Sequence, residues 1–354
     1  MGSIGPNTSH HRYPPFPGDI KTAPLVSLSL SKLQAGDEAE SKAFFDAARN
    51  LGFFYLQLEG STLGESVVDG AEQLHAISQE FYQRPQEERE EYAREKIDDF
   101  FGYRKVELKE KDENGVPKRN EIYNMRKDDF VGNADPLPCH PLVKQNWDVL
   151  TSYVYHCREV IDILITHLEK HLELPTGTLA NLHRITERSG DHVRFNQSAV
   201  QPFSEERAAM GEHTDFGTLT ILMNWLGGLQ IRLPDSAEWV YVKPIPGSAV
   251  VNLGDALVKF TAGILRSNVH RVVPPPPPQD GVLRHSLVYF SRPEDKVVLK
   301  RLKGGLIDQQ PQGEDGPEMT AQEWTWHRSV GNLKGVYTHN GGLEARENQM
   351  KSGF

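Results

Sequence analysis

The residues best suited to chemistry lie in "GEHTDFGTLTIL", Gly211 to Leu222. Read as a strand, this run puts His213 and Asp215 on one face and Thr214 on the other, because strand side chains alternate. The apolar residues that follow predict burial, and a buried charge is stable only when it is paired or bound to a metal. A metal needs a third ligand. Of the fourteen histidines, His270 in "RSNVHRVVPPP" ends a strand-like run among Val269, Val272 and Val273. Two imidazoles and one carboxylate that leave metal positions open suit non-haem Fe(II) and dioxygen chemistry. The same ligands could hold zinc with a bound water as nucleophile, so the triad alone leaves a metallohydrolase open.

A second constellation follows directly. In "RHSLVYF", Arg284 and Ser286 share a strand face just after the His270 strand. A forked cation and a hydroxyl beside a metal call for a carboxylate ligand. One strand before the metal motif, "HVRFNQSAV" places Arg194, Asn196 and Ser198 on one face, with Arg194 able to meet a substrate carboxylate or phenol. Phe290, six residues after Arg284, is expected to line the pocket. Tyr103 and Arg104 in the loop "FGYRK" are further candidate substrate contacts.

These residues need a frame. From His192 onward, eight short strand-like runs punctuated by Gly, Pro and Asp predict a sandwich or jelly roll. Ahead of them, "PLVSLSL" reads as a first strand and "GDEAESKAFFDAARNLGFFYLQL" as helix, glycine stop and strand. Val67, Ala71, Leu74, Ile77 and Phe81 form one apolar helix face. Trp147, Leu150, Val154, Cys157, Ile161, Leu164, Leu168 and Leu172 form another, ended by Pro175. Residues 84 to 95 read as a solvated helix face and 105 to 136 as polar loop. His167, His171 and His327 read as solvated. The five prolines 274 to 278 make a stiff connector, and Thr320 with Glu323 forms a capping box for a short closing helix. The fold class expected is α+β. The expected divisions are an extended arm (1–22), a helical and strand region (23–185), a jelly-roll core (186–303) and a tail with a short helix (304–354).

The excess of 49 acidic over 39 basic residues argues against nucleic acid or an anionic membrane as the main partner. A small-molecule substrate remains. Two cysteines are too few for a disulfide framework or a Cys-rich zinc site. No run of eighteen apolar residues and no basic-then-apolar leader is present, so a cytoplasmic protein is expected.

At these motifs the chain resembles the Fe(II)- and 2-oxoglutarate-dependent dioxygenases, in the subgroup of isopenicillin N synthase and the plant flavonoid and gibberellin oxidases. "AFFDAARNLGFFYLQLEG", "GEHTDFGTLTIL", "GGLQIR", "WVYVKPIPGSAVVNLGDAL" and "SNVHRVVPPPPPQDGVLRHSLVYFSRP" follow the family's core in order. The resemblance implies a double-stranded β-helix with N-terminal helices packed on the sheet. It implies His213, Asp215 and His270 as iron ligands, with Arg284 and Ser286 on the distal carboxylate of 2-oxoglutarate. Asn196 is the retained part of the family's R-x-N-Y-Y stretch. Gln197 and Ser198 replace the usual tyrosines, and "LEG" replaces the common Asn-His-Gly. The implied activity is oxidation of a small molecule by O2 with 2-oxoglutarate as cosubstrate, by hydroxylation, desaturation or ring rearrangement. An oxidase of the isopenicillin N synthase type, using O2 without 2-oxoglutarate, is the alternative. A silent ligand sensor is a third reading.

Overall fold

A computed structural model describes residues 12–93, 100–111, 117–203, 210–312 and 318–334. The strands are β1 (Ser27–Ser29), β2 (Phe53–Gln57), β3 (Gly102–Lys111), β4 (Pro117–Arg126), β5 (His192–Ser198), β6 (Met210–His213) and β7 (Leu219–Asn224). They continue with β8 (Leu229–Arg232), β9 (Trp239–Tyr241), β10 (Ser248–Leu253), β11 (His270–Val272), β12 (Arg284–Ser291), β13 (Val298–Leu299) and β14 (Met319–Thr320). The large sheet runs β1-β2-β10-β7-β12-β5-β4-β3 and the small one β6-β11-β8-β9, while β13 and β14 pair separately. The two main sheets form a double-stranded β-helix, the expected jelly roll.

Two cores explain why the central strands read as nearly continuous apolar runs. The large sheet has both faces covered, so both alternating sets are buried. Phe195, Leu287 and Tyr289 face helices Thr62–Gln83 and Trp147–His171 and join Phe44, Phe81, Ile161 and Leu164 in the larger core. Phe53, Tyr55, Leu229, Ile231, Val240 and Val250 form a smaller core between the sheets. The helix stripe from Leu150 to Leu168 is buried as its spacing predicts. Cys157 lies within it, and burial pushes its thiol pKa up, which makes it inert.

Four sequence expectations are corrected. Residues 105–136 are not simply loop: β3 and β4 form a hairpin that adds to β5, with Asn124 opposite Arg194. The edge of β5 supplies their pairing, so they need no apolar alternation of their own. Second, Asp215 is not in a strand. β6 stops at His213 and β7 starts at Leu219, with a tight turn between them. At Gly217 in that turn a Cβ would stand 2.5 Å from the carbonyl oxygen of Ser291, so only glycine fits. Third, within 84–95, Arg89 is buried and pairs with Glu121; residues 94 and 95 lie outside the described residues. Fourth, His167 is buried: Ser41 Oγ lies 2.7 Å from its Nδ1 and 2.8 Å from Nε2 of His171.

Of the arm, residues 1–11 lie outside the description. Its remainder lies on the fold, with Tyr13 Oη 2.8 Å from His75 Nε2 and the Pro14 carbonyl accepting from Gln279. The closing helix, Ala321–Lys334, starts with the capping box: Glu323 N donates to Thr320 Oγ1, and Thr320 N donates to the Glu323 carboxylate. It is fastened to the Thr214–Phe216 turn. Trp324 Nε1 donates to the Phe216 carbonyl at 2.9 Å. Arg328 donates to Asp255 at 2.7 Å and to Thr214 Oγ1 at 3.2 Å. No helix of the described residues is long and apolar enough to cross a membrane.

Arg328 and Asp255 form a buried ion pair, so truncating one partner strands the other. Arg328→Met should lower unfolding stability by about 3 kcal/mol in urea titrations; a change below about 0.5 kcal/mol would show that the clamp is idle.

His183 gives a pH prediction. The Leu179 carbonyl can only accept, so Nδ1 donates to it at 2.8 Å and Nε2 accepts from Thr218 Oγ1 at 2.7 Å. Burial, helped by the charge of Arg158, holds its pKa at about 3. The unfolded chain takes up this proton below about pH 6.5 and the folded chain does not, so stability falls as pH falls from 6.5 toward 3. This one histidine should cost about 2 kcal/mol at pH 5. His183→Leu should flatten the stability–pH slope near pH 5 by about 1.4 kcal/mol per unit, whatever it costs at pH 7.

Candidate active site

The small sheet brings the two candidate histidines together. His213 ends β6 and His270 opens β11, directly opposite each other in the antiparallel register, with ring centroids 4.2 Å apart. The turn after β6 returns Asp215 to the same point. One ligand atom from each of the three residues lies within 4.8 Å of the others, and His270 Nε2 stands 3.9 Å from Asp215 Oδ1. Two metal–ligand bonds of about 2.1 Å reach across about 4.2 Å, so small side-chain adjustments let all three share one ion.

Hydrogen bonds decide which atoms face that ion. His213 Nδ1 lies 2.8 Å from the Gly211 carbonyl and His270 Nδ1 lies 3.2 Å from the Asn268 carbonyl. A carbonyl accepts only, so both Nδ1 atoms carry the proton and both Nε2 lone pairs are left for a metal. Asp215 Oδ2 accepts from Thr220 Oγ1 at 2.8 Å and from Asn252 Nδ2 at 2.7 Å, leaving Oδ1. Burial, then the neighbouring His270, pushes the His213 pKa to about 3. Burial alone would raise the Asp215 carboxyl; the two imidazoles and the bonds from Asn252 and Thr220 outweigh it and hold the pKa below its usual value. Two Nε2 atoms turned away from the backbone carbonyls and one carboxylate oxygen form a ready donor set.

Arg284 lies at the other end of the same cavity, only 3% exposed. Its Nε donates to the Gly227 carbonyl at 2.8 Å, and burial pushes its pKa down to about 10. Among the described residues no carboxylate pairs with it. Ser286 Oγ lies 3.4 Å from Arg284 Nη1 and accepts from Asn196 Nδ2 at 3.2 Å. With both lone pairs so used, its O–H is free to donate into the cavity. A buried, unpaired guanidinium beside a free hydroxyl fits the distal carboxylate of 2-oxoglutarate.

The other candidates divide. Arg194, Ser198 and Phe290 line the cavity with the triad. Ser198 sits in register with Arg284 on one side and Asn120 on the other, so small polar side chains stand where the resemblance implies a tyrosine. Tyr103 does not line the cavity. It turns to the helix side, against Phe81, and donates to Glu121. Arg104, on the opposite face of β3, is not a lining residue but its charge helps lower the Arg194 pKa. The sequence reading missed Thr220 and Asn252. The signal was a polar side chain inside an apolar strand, in "TLTIL" and "VVNLG", which demands a partner. Asn252→Leu should weaken Fe(II) binding about 10- to 100-fold in chelator competition, and an unchanged affinity would remove Asn252 from the ligand set's support.

Comparison with known proteins shows the family. The profile of the 2OG-Fe(II) oxygenase superfamily matches residues 178–293, and that of the "non-haem dioxygenase in morphine synthesis N-terminal" matches residues 23–144. A 2-oxoglutarate-dependent dioxygenase of Glarea lozoyensis is 30% identical over 284 residues, covering 80% of this chain and 84% of its own. One from Aspergillus fumigatus is 29% identical over 338 residues, covering 88% and 87%. Among solved structures, a full-length Neurospora crassa protein in complex with alpha-KG and 5-formyluracil superposes with a TM-score of 0.70 at 21% identity, covering 86% of this chain and 95% of that one. JOX2 in complex with 2OG, Fe and JA gives 0.65 at 22% identity, covering 90% and 88%. The chain therefore belongs to the 2-oxoglutarate-dependent dioxygenases and is an oxidoreductase that uses Fe(II), 2-oxoglutarate and O2.

Proposed function

We propose that this enzyme oxidises a small organic acid, phenol or terpenoid of specialised metabolism by hydroxylation, desaturation or ring rearrangement. In hydroxylation the balance is R–H + O2 + 2-oxoglutarate giving R–OH + succinate + CO2. The observation that carries the reading is one cavity lined by the His213–Asp215–His270 triad and by the unpaired buried Arg284. The reading places catalysis in residues 186–303 and support in 23–185 and 304–354. Nucleic acid is not a proposed partner, given the acidic balance of the chain.

In this reading His213, Asp215 and His270 hold Fe(II), which supplies the oxidising chemistry when O2 and the cosubstrate are bound. Arg284 neutralises the distal carboxylate, and the Ser286 hydroxyl donates to it while Asn196 holds the serine in place. Arg194, its Nε tied to Asn124 Oδ1 at 2.7 Å, keeps its other nitrogens for a substrate acid or phenol. Phe290, Val288 and Leu222 exclude water from the cavity. Holding the target C–H beside the metal is a positioning effect and selects which carbon reacts. JOX2, whose solved structure contains JA, and the Neurospora crassa protein, also solved with thymine, share the fold and not a demonstrated substrate.

Loss of substrate with equimolar succinate is expected. Substrate loss without succinate would favour the isopenicillin N synthase-type reaction, and activity retained under argon would favour a zinc hydrolase. His213→Ala and Asp215→Ala should abolish Fe(II) binding and succinate formation while the protein stays folded by circular dichroism. Arg284→Ala should raise the 2-oxoglutarate requirement on the order of 100-fold, since it removes a buried charge-assisted contact. Wild-type cosubstrate affinity in that variant would show the role of Arg284 to be wrong.

A further inference from the structure

Arg284 is steered by a single close bond. Its Nε donates to the Gly227 carbonyl at 2.8 Å, while its Nη1 stands 3.4 Å from Ser286 Oγ. A guanidinium is planar, so the direction of the Nε bond sets where the two remaining nitrogens point. Gly227 lies in the connection between β7 and β8, residues 225–228. Whatever fixes the Gly227 peptide therefore fixes the cation. That peptide is held from both sides. Its carbonyl faces Arg284, and its N–H donates to Gln279 Oε1 at 2.8 Å. A Cβ at Gly227 would lie 2.8 Å from the Phe16 ring and 3.1 Å from Pro276, so the amino-terminal arm closes the corner in.

Gln279 is 2% exposed, and both ends of its amide are engaged. Oε1 accepts from the Gly227 N–H, and Nε2 donates to the Pro14 carbonyl at 2.8 Å. A peptide N–H only donates and a carbonyl only accepts, so the amide has one orientation. Its backbone is fixed in the turn after the proline run. There its N–H donates to the Pro276 carbonyl at 2.8 Å and its carbonyl accepts from Val282 N at 3.2 Å. The arm that supplies Pro14 is itself seated on either side. Tyr13 Oη accepts from Gln79 Nε2 at 3.1 Å and lies 2.8 Å from His75 Nε2, and the His75 ring stacks on Trp225 at 3.8 Å. Phe16 meets the Tyr241 ring edge-on at 6.3 Å. Three hydrogen bonds thus run in series from the arm to the cation, Pro14 to Gln279 to Gly227 to Arg284.

We propose that Gln279 is a positioning residue for Arg284 and that the docked arm, through Pro14 and Phe16, holds it in that role. The seating of the arm then governs how well the site binds the distal carboxylate of 2-oxoglutarate. The inference rests on the reading that Arg284 takes that carboxylate. A buried guanidinium binds an incoming anion well only if it is already aimed, because reorganising it on binding subtracts from affinity. Loss of the Gln279 amide would leave the Gly227 N–H and the Pro14 carbonyl without this partner and let the Gly227 peptide turn. Gln279 does not line the cavity, so it acts through Arg284.

The test compares two ligands of the Fe(II) enzyme under argon. One is 2-oxoglutarate; the other is 2-oxopentanoate, which keeps the keto acid end and carries a methyl group in place of the distal carboxylate. The ratio of their dissociation constants, measured by calorimetry, reads the distal carboxylate alone, whereas a general loosening of the fold shifts both constants together. In the wild type 2-oxoglutarate should bind more tightly on the order of 100-fold. Gln279→Met, close in shape but unable to make either bond, should cut that ratio about fivefold or more, as expected for one net hydrogen bond. Phe16→Ala loosens the arm and leaves every hydrogen-bonding group in place; it should cut the ratio about twofold or more. Fe(II) affinity in chelator competition should stay at the wild-type value in both. The proposal is overturned if Gln279→Met keeps the wild-type ratio or, should that variant not fold, if Phe16→Ala keeps it. A wild-type ratio in Phe16→Ala beside a reduced one in Gln279→Met would uphold the positioning residue and remove the part of the arm. Arg284→Ala separates the two levels. If it keeps the wild-type ratio, the role of Arg284 fails and the inference fails with it; if it loses the ratio while Gln279→Met keeps it, only the inference fails.

Discussion

Asp215 is the point on which the site depends. A carboxylate at that depth would rather be protonated, and protonation would end its use as a ligand. Two hydrogen bonds to Oδ2, from β7 and β10, and two adjacent imidazoles keep it ionised and aim Oδ1 at the ion. Its backbone carbonyl accepts from Asp255 N at 2.8 Å, and Asp255 in turn meets Thr214 and Arg328. The large sheet, the following short helix and the closing helix all converge on one turn. The candidate metal ligands come from the small sheet and its turn, but the large sheet aims one of them.

The histidines are fixed by a simpler device. Each gives Nδ1 to a carbonyl two residues earlier in the chain. That bond sets tautomer and ring orientation before any metal arrives, which reduces what binding must reorganise. The pairing of β6 with β11 then places the two rings side by side. The geometry needs no long-range accident beyond one strand register.

Much of this was legible in the sequence and some was not. Strands buried on both faces announced themselves as apolar runs, so β7, β10 and β12 were readable, and with them Arg284 and Ser286 at the right face. The Leu150–Leu168 stripe and the Thr320–Glu323 box were readable because each is local, set by helical spacing or within four consecutive residues. The β3–β4 hairpin was not readable, since its stability comes from the open edge of β5 and its sequence is polar. Asp215 was read as a strand residue because His-x-Asp spacing mimics alternation; Gly217, pressed against Ser291, was the sign of a turn. His167 looked solvated among charges, but a single buried partner, Ser41, reverses that. Local rules failed where a residue's partner is distant in sequence.

Along β5 and β12 the inward residues change character in a definite order. Ser198, Asn196 and Arg284 with Ser286 stand at one end, small and polar. Val288 follows with Arg194 level beside it, then Phe290 under the Arg194 guanidinium, and Arg292 lies beyond the strand against Phe100 and Phe216. Arg284 and Arg292 are buried and Arg194 is half-buried, and desolvation lowers all three pKa values. The charges of Asp191, Asp215 and Asp295 act on Arg292 and that of Asp215 on Arg194, whereas among the described residues no carboxylate offsets the burial of Arg284. At the Arg284 end, the counter-charge in the proposed reading is the distal carboxylate of the cosubstrate.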